Sequence, residues 1–322
     1  MLAGYISGTT VELAKVRQVD SGMKLTSQTT YASHDFTNFE SILNLYLKRQ
    51  KTDLKCACFG VAGPVINDEV LTTRLSWRLV AADIAKQFGI GKVQLLNDIV
   101  AIAHSLPVLG KDRFYTINAG EKVPGGNIGL IAAGSGLGES LVFVDGQSYL
   151  PVASEGGHSD FAPSSQLESE LWAYIYSDHG HVAVEDVLSL KGLDTIYNFV
   201  IDSQGNGLAS WYQKAKDKPS AIIEKALSGS DAYATRTMEI FIDCYASEAS
   251  NLALKGMTLG GIFIGGMIGP QIITLLDGSK FMERFVKRGK MEALLAKMPV
   301  EVIIEEKAAL IGAAAVTAKM NG

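Results

Sequence analysis

The 322-residue chain has only three cysteines, Cys56, Cys58 and Cys244, too few and too poorly spaced for a disulfide framework or a four-ligand zinc site. They read as buried thiols of a protein in a reducing cytoplasm. No apolar run approaches the ~20 residues that span a bilayer. The start, Met1-Leu2-Ala3-Gly4, has neither the basic nor the long apolar region of a signal peptide. A net charge of -5 provides no basic surface for nucleic acid or an anionic membrane. Aromatic residues make up 8% of the chain and form no stacking ladder for bases, so they read as core, Trp77 included. Two nucleotide motifs are also missing. No glycine run ends in Gly-Lys-Ser/Thr, and none carries three glycines between a strand and a helix with an acidic residue downstream.

What remains is a globular α/β pattern. With 47% hydrophobic and 20% charged residues over this length, two domains of ordinary size are expected. Residues 14–19 and 24–31 read as antiparallel strands joined at Asp20-Ser21-Gly22, followed by a helix from Phe39 to Gln50 and a strand from Cys56 to Val61. A helix from Ala81 to Phe88 and a strand from Val93 to Leu96 come next. In the second half, residues 129–133 and 139–144 flank Gly134-Ser135-Gly136 as a hairpin resembling the one between Gly4 and Val16. A helical block from Gln166 to Leu254 is expected to break near Gly192, Gly205 and Gly229. A strand from Leu259 to Ile264, another from Val300 to Ile304 and an alanine-rich helix from Ala308 to Lys319 complete the chain. Helices alternating with short apolar strands predict α/β layers around a partly parallel sheet, with a glycine-hinged hairpin in each half.

Two clusters carry chemistry. Leu95-Leu96-Asn97-Asp98 ends an apolar strand with an amide and a carboxylate, a place that faces the ligand crevice in α/β sheets. Asn97 and Asp98 are equally the cap of a helix beginning at Ile99. Glu155-Gly156-Gly157-His158 puts a carboxylate and an imidazole three residues apart. Taken singly, Glu155 fits an exposed carboxylate, His158 a hydrogen-bonded core histidine, and Glu185 the acidic first turn of a helix. His34, His104, His179 and His181 read as structural or exposed. Three glycine turns, 4–10, 134–138 and 260–266, would let backbone N–H groups approach a phosphate or a nucleotide face.

These motifs together resemble the bacterial glucokinase family of the hexokinase–actin–chaperone ATPase superfamily, over essentially the whole chain. The resemblance rests on Phe59-Gly60-Val61-Ala62-Gly63-Pro64-Val65, Leu96-Asn97-Asp98, Gly134-Ser135-Gly136-Leu137-Gly138 and Gly261-Ile262-Phe263-Ile264-Gly265-Gly266. The run Glu155-Gly156-Gly157-His158-Ser159-Asp160-Phe161-Ala162-Pro163 and the segment Glu185-Asp186-Val187-Leu188-Ser189 add to it. No cysteine cluster follows Gly157, which sets the chain apart from the zinc-containing branch, and no protein metal ligand is assigned.

The resemblance implies a two-domain actin/hexokinase-like ATPase fold with a cleft, the small domain being 1–107 plus 305–322 and the large one 108–304. It implies phosphoryl transfer from ATP, with Mg²⁺, to the 6-hydroxyl of glucose in glycolysis, by a cytoplasmic enzyme expected as a homodimer. Asp98 would accept the hydroxyl proton, and Asn97, Glu155, His158 and Glu185 would bind the other ring hydroxyls. Gly8, Thr9, Gly134, Ser135 and Gly136 would hold phosphates, and Gly265 and Gly266 would pack against adenine and ribose. The chain departs from the family pattern at its first turn. Tyr5 stands where relatives carry an aspartate that helps place Mg²⁺, and Ser7 where they carry a glycine, with positive φ and strain expected there. Arg74 and Ser76 replace an asparagine and often a proline. The alternative is therefore a glucose-binding regulator with little or no phosphoryl transfer.

Overall fold

The structure is a computed structural model that describes residues 1–19, 22–49, 54–146, 148–205 and 207–321. The Asp20-Ser21 link, the helix end at Gln50 and the side chain of His179 lie outside the described residues. The chain divides into two compact units, 1–111 with 305–322, and 112–304.

In the first unit, β1 (Leu2–Ile6), β2 (Thr10–Val19) and β3 (Gly22–Ala32) form an antiparallel meander. Then come α1 (Phe39–Lys48), β4 (Cys56–Val61), the small antiparallel pair β5 (Glu69–Leu71) and β6 (Arg78–Val80), α2 (Ala81–Phe88), β7 (Lys92–Asn97) and α3 (Asp98–Ser105). The main sheet runs β3-β2-β1-β4-β7, with β1, β4 and β7 parallel. Every residue of β4 is buried, as expected for a parallel strand covered on both faces. Gly4 lets this sheet close, since a Cβ there would lie 2.7 Å from Leu13 and from Phe59. The C-terminal helix Ala308–Met320 belongs to this unit, and its Gly312 lies against the Ala101 carbonyl of α3.

The second unit repeats the plan. It contains β8 (Phe114–Asn118), β9 (Ile128–Ala133), β10 (Leu137–Asp145), β11 (Ser148–Ser154) and a 3-10 turn at Gly156–His158. A helical block follows: α4 (Gln166–His179), α5 (Val184–Val187), α6 (Leu190–Ser203), α7 (Ser210–Lys214), α8 (Lys218–Leu227) and α9 (Ala232–Gly256). The unit closes with β12 (Gly261–Gly266), α10 (Ile273–Leu276), α11 (Ser279–Val286), α12 (Glu292–Leu295) and β13 (Val300–Ile303). Its sheet runs β11-β10-β9-β12-β13-β8, again a three-strand meander joined to parallel strands.

One expected break is misplaced. Gly205 and Gly229 end helices with φ of +63° each, but Gly192 lies inside α6. The chain breaks earlier, at Gly180 with φ +67° and at Ser189, whose hydroxyl accepts from Gly192 N at 3.0 Å as a helix cap. Gly192 is small because the Val187 carbonyl presses on it, a demand for close approach rather than for a turn. Among the described residues no helix is long and apolar enough to cross a membrane.

Candidate active site

In the first unit, strand register sets where the candidate residues lie. Ile6 pairs with Val61 and Val61 with Asn97, so the carboxyl ends of β1, β4 and β7 lie side by side. The Ser7–Thr9 turn and Asp98 therefore leave the sheet at one edge, where α/β folds bind ligands. Asn97 caps α3: its Oδ1 accepts from Ile99 N at 3.0 Å and Val100 N at 3.4 Å, and its Nδ2 donates to the Gly63 carbonyl at 3.1 Å. Capping thus occupies the Asn97 oxygen and leaves one amide hydrogen for a ligand. Asp98 Oδ1 accepts from Ile99 N at 2.9 Å, which orients the carboxylate at the helix start.

Tyr5 lies in β1 beside these groups. Burial pushes its phenol well above the ordinary range, and the Asp98 and Glu12 carboxylates push in the same direction. The expected strain at Ser7 is absent, since Ser7 is not among the described residues of positive φ. Instead Ser7 N donates to the Thr10 carbonyl at 2.8 Å, and its hydroxyl accepts from Thr10 N at 2.9 Å and Thr9 N at 3.3 Å. The side chain closes the turn that a glycine would have to close with backbone alone. Gly8 lies against the Arg74 side chain, whose Cδ would be 2.5 Å from a Cβ there and would have to shift to admit one. Positive φ appears instead at Ser76, at +53°.

In the second unit, Leu137 ties the functional segments together. Its N–H donates to Glu185 Oε2 at 2.7 Å, and its carbonyl lies under Gly157, where no Cβ would fit. Glu185 also faces Gly136, so this carboxylate is fastened to the glycine turn at Gly134–Gly138, which Gly134 N closes on the Gly136 carbonyl at 2.8 Å. Val184 N, at the start of α5, donates to the Ser159 carbonyl at 3.0 Å, which links α5 to the turn carrying Glu155 and His158. The Glu155 carboxylate and the His158 imidazole lie 3.9 Å apart, with 57% and 62% of their side chains exposed. Glu155, His158 and Glu185 thus come together on one framework, with Glu185 shared between this turn and the glycine turn.

Gly265 and Gly266 pair with Ala132 and Ala133 of β9. The N–H groups of Met267 and Ile268 both donate to the Ala133 carbonyl at 3.0 Å, and a Cβ on Gly134 would touch Met267 at 3.6 Å. Gly266 needs its φ of +80°, and the Ala133 carbonyl leaves no room for a side chain. The second and third glycine turns are therefore neighbours. Ser135 sits between Gly134 and Gly136 at the tip of the second turn.

Glu139 was not singled out from the sequence, although alternation along Leu137-Gly138-Glu139-Ser140-Leu141 puts it on the face of two leucines. It is 4% exposed, its Oε1 has no hydrogen-bond partner, and Oε2 meets the position a Cβ of Gly156 would take. Burial first and the Glu248 carboxylate second push its pKa up to about 7, against the opposing pull of Lys255. Cys56, Cys58 and Cys244 are free and buried. Among the described residues no group of three or more His, Cys, Asp or Glu side chains could hold a metal ion.

Two meander-plus-parallel sheets, with an aspartate at the strand ends of one unit and glycine turns in both, define an actin-like ATPase fold of the sugar-kinase type. The family profile described as Glucokinase matches residues 2–320. A glucokinase of Nostoc sp. is 34% identical over 340 residues, covering 99% of each chain. The crystal structure of a glucokinase from an Antarctic psychrotroph superposes with a TM-score of 0.86 at 29% identity, covering 99% of this chain and 98% of that one. A ROK family glucokinase from Streptomyces griseus, solved with glucose and AMPPNP, shares the fold at a TM-score of 0.67 and 18% identity, covering 99% of each chain. The chain belongs to the glucokinase family, ATP-dependent kinases that phosphorylate glucose.

Proposed function

We propose that Asp98 is the general base of glucose phosphorylation. The 6-hydroxyl oxygen attacks the γ-phosphorus of ATP, the bond from that phosphorus to the ADP oxygen breaks, and the hydroxyl proton passes to Asp98. Asn97, Glu155, His158 and Glu185 take the remaining ring hydroxyls, since carboxylates and an imidazole match vicinal hydroxyls through charge-assisted bonds. Glu185 has Oε1 to give, because Oε2 is engaged by Leu137. The turns carrying Gly8 and Thr9, and Gly134, Ser135 and Gly136, take the phosphates, with Thr9 N and Gly134 N already given to the Ser7 hydroxyl and the Gly136 carbonyl, and Gly265 and Gly266 leave flat backbone for adenine and ribose.

The observation that carries this assignment is the alignment of Ile6, Val61 and Asn97, which sets Asp98 and the Ser7–Thr9 turn on the same sheet edge. Magnesium arrives with the nucleotide, as a cation that needs one or two carboxylates besides phosphate. Of the two carboxylates whose charge reaches Tyr5, Asp98 stands at the end of β7 and would face the cation, whereas Glu12 lies within β2 opposite Tyr5. Buried free thiols suit a cytoplasmic setting, and the homodimer is checked by light scattering. Replacing Asp98 by Asn tests the assignment, because the Ile99 N–H keeps an acceptor oxygen while the proton acceptor is lost.

A further inference from the structure

Glu139 follows the second glycine turn on β10, between Ile131 of β9 and Ser154 of β11. Its carboxylate packs behind Gly156, in the middle of the turn that presents Glu155 and His158. The titratable groups facing it are Tyr245, Glu248 and Lys255 from α9, with Glu155 and His158 beyond Gly156. Gly156 has no side chain to spare this contact, since any Cβ would collide with the Glu139 carboxyl.

We propose that Glu139 is a positioning residue for the sugar-binding turn, holding Glu155 and His158 ready for glucose only in its neutral form, so that glucose binding is coupled to proton uptake. This rests on the glucose-binding role of Glu155 and His158. A neutral carboxyl tolerates the apolar strand face and an unpartnered oxygen. A carboxylate there would have Oε1 buried without a donor and Glu248 as a neighbouring anion. Ionisation is relieved by drawing donors toward the carboxylate, and those at hand are the Gly156 N–H, which donates to Ser154 Oγ at 2.9 Å, and the Ser154 hydroxyl beside it. The turn that must hold still for the sugar is the one that moves. With the carboxyl titrating at about 7, the coupling operates near neutrality.

The test is calorimetric titration of the whole protein with glucose alone, from about pH 6 to about pH 8.5, in two buffers of different ionisation enthalpy. The parent takes up close to one proton per glucose at the alkaline end, and its Kd rises toward tenfold per pH unit above about pH 7. Glu139→Gln, neutral at every pH and of the same shape, loses that uptake and binds with a flat Kd. Glu248→Gln, which removes the neighbouring anion, shifts the parent's break to lower pH and serves if Glu139→Gln does not fold. KM for ATP shows no matching break in any of the three proteins. A parent with no break near neutrality, or a Glu139→Gln protein with the parent's proton uptake, overturns the proposal. If Glu155→Ala and His158→Ala bind glucose as the parent does, the sugar site itself has been misassigned, whatever Glu139 does.

Discussion

Glu155 and His158 stand 3.9 Å apart with more than half of each side chain exposed, so each gives the other little stabilisation before a ligand arrives. In the proposed assignment their value lies in the bonds they would make to a sugar. Glu155→Ala and His158→Ala are each expected to weaken glucose binding by about 1–3 kcal/mol, less than additively in the double variant because they share one ligand. Glucose titration checks this, and unchanged affinity in both variants would leave them as surface groups. Glu139 adds a stability prediction. Its folded-state pKa is raised from 4.5 to about 7, so its contribution is fully present below about 4.5 and is lost as pH rises through 7. At 1.36 kcal/mol per pH unit this is of order 3 kcal/mol, so Glu139→Gln should be the more stable protein in denaturant at pH 8 and match the parent at pH 4. Residue types were legible in the sequence, but their environments were not. Asn97 reads equally as cap or ligand group, and the structure makes it the cap of α3 with one amide hydrogen left over, while Glu139 is visible only once Gly156 is seen to lie on it.

Elements were legible where period and composition agree. β4 at Cys56–Val61 and α2 at Ala81–Phe88 have the bounds their apolar patterns mark. Glycine misled where it serves contact rather than conformation. Gly192 is packed under the Val187 carbonyl inside α6, and Gly8 is packed under Arg74. Ser7 misled in the other direction, since its hydroxyl closes the β1–β2 turn without positive φ. Ser7→Gly should therefore lower stability by about 1 kcal/mol, the usual cost of a lost hydrogen bond with added chain entropy, and give no gain in kcat/KM for ATP. Denaturant titration and steady-state kinetics decide it, and a rise in kcat/KM would show that the phosphates need a bare turn. At the second turn, Gly136→Ala drives a methyl into the Glu185 carboxylate. If Glu185 binds the sugar as proposed, the variant should raise KM for glucose as well as for ATP, because the same carboxylate is tied to the turn, whereas an increase confined to ATP would remove Glu185 from the sugar.

At the level of the whole molecule, two glycine-hinged hairpins pointed to a repeated plan, and both units do set a three-strand meander beside parallel strands. The strand order beyond the hairpins was not legible. β12 pairs with β9 across more than a hundred residues of sequence, a pairing fixed by tertiary burial rather than by local pattern. The two sheets have one feature in common: the candidate groups lie at strand ends, Asp98 in one unit and the paired glycine turns in the other. Tyr5 is the departure with most bearing on turnover, because a buried phenol cannot replace a hard anionic ligand. Whether phosphoryl transfer runs through Asp98 is tested most directly by measuring glucose-dependent ADP release and glucose Kd in the parent and in Asp98→Asn. The parent should release ADP only when glucose is present. Asp98→Asn should bind glucose within a few-fold of the parent while kcat falls by roughly 10²–10⁴. A parent that binds glucose without releasing ADP, or an Asp98→Asn protein that turns over as the parent does, would contradict the assignment.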